Sequence, residues 1–402
     1  MPAPAWFHDA ILYHILIDRF AGLPEDGETR ALSPVFAGGT LQGIREQLPY
    51  LEELGVNTLW ISPFCAGAGY HGYHSYNDRS VDPHFGTEKD LRALIGAAHA
   101  AGFRIIADWV PNHWHESHPF FQRALQGDRA YRRWFYFQPD GSHLGYGGYG
   151  FLPKINLDHP PARAFMIESA RHWMQMGLDG YRLDYAVGPS RDFWRVFRRE
   201  IKAVNPEAVL IGEVWLGSVK KRDLPQVDIL QKEARWLRGR IPKGELQREY
   251  AGLMDGVLDF AAQELYQQHI AKGAADEPLL RTRLRLHQRR APRGFVQPAF
   301  LDNHDMNRFL HESGQDRDRL KQALAVLFSQ PQPPILYYGT EIGLTHAETV
   351  WSGLPYADLA TRGAMIWDPA RQDLDLKAHV QTLIAARKRQ HAVQPAEAVR
   401  VF

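Results

Sequence analysis

Acidic residues recur beside Arg, His and Trp in four short stretches of the chain. They are Asp108-Trp-Val-Pro-Asn112-His113, Gly180-Tyr-Arg182-Leu-Asp184, Gly212-Glu213-Val-Trp215 and Phe300-Leu-Asp302-Asn-His304-Asp305. Each stretch follows a short apolar run that reads as a β-strand, so each set of acids stands at the C-terminal end of a strand. Side chains two apart on a strand share a face, so Arg182 and Asp184 project together. A guanidinium beside a carboxylate favours its ionised form, which is the state a nucleophile needs. Glu213 is followed by Val214 and Trp215, an apolar setting that raises a carboxyl pKa and suits a proton donor. Two carboxyls in opposite protonation states on either side of one bond are the means of glycoside hydrolysis. A separation of about 5–5.5 Å would mean retention of configuration and a wider one inversion.

Taken singly, each residue has a plainer reading. An Asp at a strand end often caps a turn or pairs with a cation. The Arg182–Asp184 pair on its own fits a structural salt bridge, and His113 and His304 fit core or surface histidines. Tyr73 on its own fits packing. Convergence on consecutive strands of one face weighs against all these readings holding together.

The elements that would position these groups alternate between short apolar runs and longer amphipathic segments. Ile11–Ile17, Thr58–Ile61 and Arg104–Trp109 read as strands; Leu41–Leu54 and Glu88–Ala101 read as helices closed by Gly55 and Gly102. From Asn112 to about Asp158 the chain is rich in His, Gly, Tyr and Phe without long periodicity. A structureless loop of that length is improbable, so residues 112–158 read as an inserted subdomain. A helix over Pro161–Met176 follows. Further strands are expected at Tyr181–Leu183, Val209–Ile211, Val257–Phe260, Phe295–Leu301 and Ile335–Tyr338. Eight strands interleaved with helices indicate an α/β chain forming a (β/α)8 TIM barrel, built from residues 1–111 and 159–391, with the insertion after strand three. An open doubly wound sheet would carry a Gly-rich loop after its first strand, and Asp18-Arg-Phe-Ala-Gly22 is not one. The charged segment Val219–Tyr250 reads as a solvated helical excursion or a wall of the cleft. Residues 392–402 read as a short tail.

Composition narrows the function further. Net charge is +1, with 47 Lys and Arg against 46 Asp and Glu, so no positive field would gather nucleic acid. No basic block suits an acidic membrane, and no apolar run approaches the roughly 20 residues of a bilayer span. Aromatics make up 12% of the chain, and many lie beside Gly, His or Asp, which suits a sugar site. The single cysteine, Cys65, excludes an internal disulfide and reads as an unreactive, partly buried thiol. No basic-then-apolar leader is visible, so the expected location is cytoplasmic.

These four stretches, in order, resemble the conserved regions of the α-amylase superfamily, glycoside hydrolase family 13, over essentially the whole chain. Leu152-Pro-Lys-Ile-Asn156 is similar to the version in neopullulanase and cyclomaltodextrinase relatives. Tyr13-His-Ile-Leu-Ile-Asp-Arg-Phe20, Gly72-Tyr73, Asp82-Pro-His-Phe-Gly-Thr87 and Tyr338-Gly-Thr-Glu-Ile-Gly343 fit as well. The resemblance implies Asp184 as nucleophile, Glu213 as general acid/base and Asp305 as the carboxylate that binds sugar hydroxyls and favours the distorted sugar. It implies Arg182 as the group orienting Asp184, His113 and His304 as hydrogen-bond partners of the sugar, and Tyr73 as a stacking platform. Trp215 joins them as a substrate-binding residue beside the acid/base. Asp108 and Asn112 are implied to be architectural.

The chain also departs from the family pattern. Many secreted amylases carry Lys-His shortly after the nucleophile, where it serves substrate and calcium; here Ala186-Val187-Gly188 follows. No metal ligand is therefore assigned and no cofactor is expected to be required, calcium being the one the resemblance leaves open. A C-terminal β-sandwich is expected to be absent or vestigial, because only a helix over Leu374–Arg389 and the tail remain. The expected activity is hydrolysis of α-glucosidic bonds, mainly α-1,4, in short or cyclic maltooligosaccharides. A transglycosylase or isomerase would use the same intermediate, and a non-catalytic sugar-binding relative would lack the three acids. The partner is an oligosaccharide; oligomeric state is left open.

Overall fold

A computed structural model of the chain describes residues 2–215, 242–273 and 276–393. Most of the charged segment 219–250 and the end of the 392–402 tail lie outside the described residues. The barrel strands are β1 (Leu12–Ile15), β2 (Thr58–Ile61), β3 (Arg104–Trp109), β4 (Gly180–Leu183), β5 (Val209–Gly212), β6 (Gly256–Val257), β7 (Ala299–Phe300) and β8 (Pro334–Tyr337). All neighbours pair in parallel, in the order β6-β5-β4-β3-β2-β1-β8-β7. The two ends of that row meet. Gly256 bridges Val296, Val257 N donates to Val296 O at 3.1 Å, and Asp259 N donates to Pro298 O at 2.9 Å. The sheet is thus closed into the expected (β/α)8 barrel.

The two-residue period of the strands sorts their side chains. Leu12, Trp60, Ile106, Val209, Ile211, Phe300 and Ile335 form the filled barrel interior. The alternate residues, such as Tyr13, Leu59, Ile105, Tyr181, Leu210 and Leu336, pack outward against the helices. Gly180 opens β4 because a Cβ there would sit 2.1 Å from Val209 O. That close approach lets β4 and β5 pair in the register that matters for the site.

Several elements differ from expectation. The first strand ends at Ile15, and Ile17–Phe20 is a helical turn. Leu41–Leu54 is two helices, Leu41–Glu46 and Leu48–Leu54, because Pro49 has no N–H to continue the first. β6 is only Gly256–Val257; Phe260 already opens a helix, capped by Asp259, whose side chain accepts from Ala262 N. β7 is shortened by Pro298, which cannot donate to a ladder. The final helix runs Leu374–Val393.

An antiparallel hairpin after β2, Cys65–Gly67 with Ser75–Val81, was not expected. It carries Tyr70, His71 and Tyr73 in its connection. Cys65 is buried. Within 112–158 there are two short helices, Pro119–Leu125 and Arg129–Arg132, and four antiparallel bridges. Trp114, Phe120 and Trp134 pack there against Phe165 of the helix Pro160–Gln175, which docks the insertion on the barrel. Among the described residues no helix is long and apolar enough to cross a membrane.

Candidate active site

The register of the barrel assembles the site. Asp108 on β3 pairs with Arg182 on β4, and Arg182 with Ile211 on β5. One step on, Asp184 N donates to Trp109 O and Glu213 N to Leu183 O, each at 2.9 Å. Arg182, Asp184 and Glu213 therefore rise on one face at the C-terminal end of the barrel, as the two-residue spacing predicts.

Arg182 is fully buried and is the hub of this face. Its Nη1 donates to both oxygens of Asp108 and to Asp184 Oδ1, all at 2.9 Å. Its Nη2 lies 2.6 Å from Glu213 Oε1, close in distance but not aligned as a hydrogen bond. One cation thus serves three carboxylates. Arg182 favours the ionised form of Asp184, as its position on the strand implies, but burial opposes it more strongly. Burial pushes Asp184 up to about 7 and Glu213 up to about 8, while Arg182 opposes both. Asp108 is raised to about 6 by the same burial. A single guanidinium is set against the desolvation of three buried carboxylates, so burial outweighs it and all three are raised. Glu213 stands highest of the three.

Glu213 has more polar contacts than its apolar neighbours suggested. Its Oε2 accepts from Tyr185 N at 2.8 Å. Val214 beside it is buried, and the half-buried Trp215 stacks on Phe260 at 5.0 Å and meets the exposed Trp351 at 6.4 Å.

Asp305 is the most exposed of the three proposed acids. Its Oδ2 lies 3.1 Å from His304 Nε2 and its Oδ1 3.0 Å from Arg362 Nη2. Arg362 also donates from Nε to His304 O at 2.8 Å. Asp302, at the same strand end, is instead structural, accepting from Phe309 N at 2.6 Å. His304 is buried and held neutral by burial and by the nearby Arg362 and Arg182. It stacks on Tyr73 at 5.2 Å, so one face of that ring is already covered. Tyr73 donates its hydroxyl to Asp108 Oδ2 at 2.8 Å, and its carbonyl meets His113 Nε2 at 3.2 Å. His113 is pushed down to about 3 by burial and stacks on Tyr146 of the insertion at 4.5 Å.

Asn112 is buried, and its Oδ1 has no hydrogen-bond partner. Nearby, the buried Lys154 donates to Gly188 O at 2.9 Å. Among the described residues no group of three or more His, Cys, Asp or Glu is arranged to hold a metal ion.

The sequence reading missed Arg362 and Tyr185. Arg362 lies 57 residues beyond Asp305, with no motif around it to mark it. The Tyr185 contact is made by a backbone amide, which no side-chain pattern announces.

This arrangement can attack from one carboxyl, protonate from another and grip a polar ring with neutral donors. Comparison with known proteins agrees with that chemistry. The alpha-amylase catalytic domain model matches residues 14–397. Alpha-amylase 2 of Dictyoglomus thermophilum is 32% identical over 403 residues, covering 100% of this chain and 66% of its own. A cyclomaltodextrinase of Bacillus sp. is 30% identical, covering 97% of this chain and 68% of its own. The chain therefore spans about two thirds of the length of these curated relatives. Among solved structures, the ligand-free cyclic α-maltosyl-(1→6)-maltose hydrolase of Arthrobacter globiformis superposes with a TM-score of 0.79. It is 28% identical and covers 97% of this chain and 85% of its own. With the catalytic-domain match running nearly end to end over a barrel that sets its acids on these strand ends, the chain belongs to the alpha-amylase family of glycoside hydrolases.

Proposed function

We propose that the protein is a retaining α-glycosidase that hydrolyses α-glucosidic bonds, mainly α-1,4, in short or cyclic maltooligosaccharides. The observation that carries this reading is Arg182 shared among Asp108, Asp184 and Glu213, with Glu213 the most readily protonated of the three. Asp184 attacks the anomeric carbon while Glu213 gives its proton to the departing oxygen. The resulting glycosyl ester is opened by water, whose proton returns to Glu213. Asp305, braced by Arg362 and His304, binds sugar hydroxyls. His113 and His304, both held neutral, donate and accept around the ring without adding charge. Tyr73 is the stacking platform of the cleaved subsite, and Trp215 lines the leaving-group side beside Glu213.

The choice of short or cyclic substrates is supported by relatives described as cyclomaltodextrinase and neopullulanase. A cytoplasmic location is part of the same proposal and is supported by a 28% identical relative described as the intracellular maltogenic amylase of Bacillus subtilis. We further propose that no calcium ion is needed. An ammonium group already donates to the Gly188 carbonyl, which supports the view that a second cation is not required to hold the turn after the nucleophile.

Incubation with linear, branched and cyclic maltooligosaccharides, pullulan, trehalose and sucrose tests the reading, with products followed by NMR. The expected result is cleavage of maltooligosaccharides with the α-anomer appearing first. A β-anomer appearing first, or no cleavage of any glucan, would refute it.

A further inference from the structure

Tyr185 follows the proposed nucleophile directly and has φ 42, a left-handed conformation rare for a bulky residue. Such strain persists only where the surroundings over-determine it, and it clusters at functional sites. The surroundings here are specific. The buried Tyr185 ring meets Tyr146 of the insertion edge-on at 4.8 Å, and Tyr146 stacks in turn on His113. The following turn is tied at three points. Trp194 Nε1 donates to Ala186 O at 2.8 Å, Gly188 N to Tyr185 O at 2.9 Å, and Lys154 Nζ to Gly188 O at 2.9 Å. At Gly188 a Cβ would lie 2.1 Å from Asn112 Oδ1, so the turn also sits tightly against the insertion's first residue.

The strained turn aims two successive amides at one residue. Tyr185 N reaches Glu213 Oε2 at 2.8 Å, and Ala186 N reaches Glu213 O at 3.0 Å. The first of these N–H groups meets the carboxylate and the second the backbone carbonyl, so the turn is tied to both the side chain and the main chain of Glu213. With Oε2 fixed by Tyr185 and Oε1 facing Arg182, the plane of the Glu213 carboxyl is set. A relaxed turn would keep the backbone anchors and lose that aim.

We propose that Tyr185 is a positioning residue for the acid/base: its left-handed backbone, braced by the ring against Tyr146, holds its N–H on the Glu213 carboxylate, so that docking of the insertion sets the aim of proton transfer. This rests on the reading of Glu213 as the acid/base. It requires something of the backbone that side-chain packing alone would not. Glycine adopts a positive φ without steric cost, whereas alanine does not.

The test compares Tyr185→Ala, Tyr185→Gly and Glu213→Gln by kcat/KM on maltotriose and on α-maltosyl fluoride, whose leaving group needs little protonation. Tyr185→Ala should lose about 10- to 100-fold on maltotriose, part of the usual worth of general acid catalysis, and far less on the fluoride. Its basic pH limb should move up, since the carboxylate loses a donor. Tyr185→Gly should recover most of the maltotriose rate and return the limb toward the parent. Equal losses in the Ala and Gly variants on both substrates, or no loss in either, would overturn the proposal. If Tyr185→Ala does not fold, Tyr146→Ala carries the test, since it removes the brace from outside the turn and should give the same split between substrates. If Glu213→Gln is itself unimpaired on maltotriose, the acid/base reading falls first and this inference falls with it.

Discussion

Replacing Glu213 by Gln should raise stability at alkaline pH while abolishing activity. The carboxyl is buried, and burial is the largest cause of its rise from 4.5 to about 8. In the unfolded chain the same group titrates near 4.5. Below that pH both states hold the proton. Between 4.5 and about 8 the native state holds it and the unfolded state does not, so stability falls as pH rises. The loss is complete above about 8. The gap of about 3.5 pH steps at about 1.4 kcal/mol each gives an upper bound of about 5 kcal/mol. Relaxation of the site and sharing of charge with Asp184 reduce it, and about 2 kcal/mol is a fair expectation. Gln keeps an acceptor for Tyr185 N and does not titrate. Urea unfolding of parent and variant at pH 5, 7 and 9 should show the variant gaining on the parent across that range. Curves that run parallel from pH 5 to 9 would refute the claim that Glu213 is protonated in the native site at neutral pH.

Asp184→Asn should reduce turnover by at least about 10³-fold, because the covalent step disappears while the fold and sugar binding remain; activity within tenfold of the parent would remove the nucleophile assignment. Arg182→Lys should lower kcat by about 10²-fold or more, since a point charge cannot serve Asp108, Asp184 and Glu213 at once; a variant of parental rate would show that the three-way sharing is incidental. Activity should survive prolonged treatment with a strong chelator, and complete loss restored by added calcium would show that Lys154 does not suffice to hold the turn.

The placement of Arg182, Asp184 and Glu213 together was legible in the sequence because strands have a period of two and β4 and β5 are neighbours. The i, i+2 spacing puts Arg182 and Asp184 on one face, and Glu213 follows from the next strand end. The eight strands were legible for the same reason, with errors where a proline intervened. Pro49 divides one helix and Pro298 shortens one strand, and both were visible in the sequence. The hairpin after β2 was not visible, since its strand Ser75–Val81 is polar and its pairing shifts register twice. Arg362 and Tyr185 were out of reach for a deeper reason. Arg362 acts through tertiary proximity alone. Tyr185 contradicts its own local preference, and only the surrounding anchors make its conformation tenable.

On the proposed roles, the sharing of one guanidinium accounts for how Glu213 would serve as acid and then as base. Arg182 faces Asp108, Asp184 and Glu213, and the charge on Asp184 is one of the causes that raise Glu213. When Asp184 becomes an ester its charge disappears. Arg182 then has one fewer carboxylate to serve, and Glu213 loses a repulsive neighbour at the moment it has given up its proton. Its pKa must fall, so that it remains ionised and can take a proton from water in the second step. On that proposal the proton demand is timed by the covalent state of Asp184, with no movement of Glu213 required. The Asp184→Asn protein removes the same charge without a bound sugar. Glu213 should titrate lower in that variant than in the parent, and an unchanged value would mean that the charge on Asp184 does not act on it.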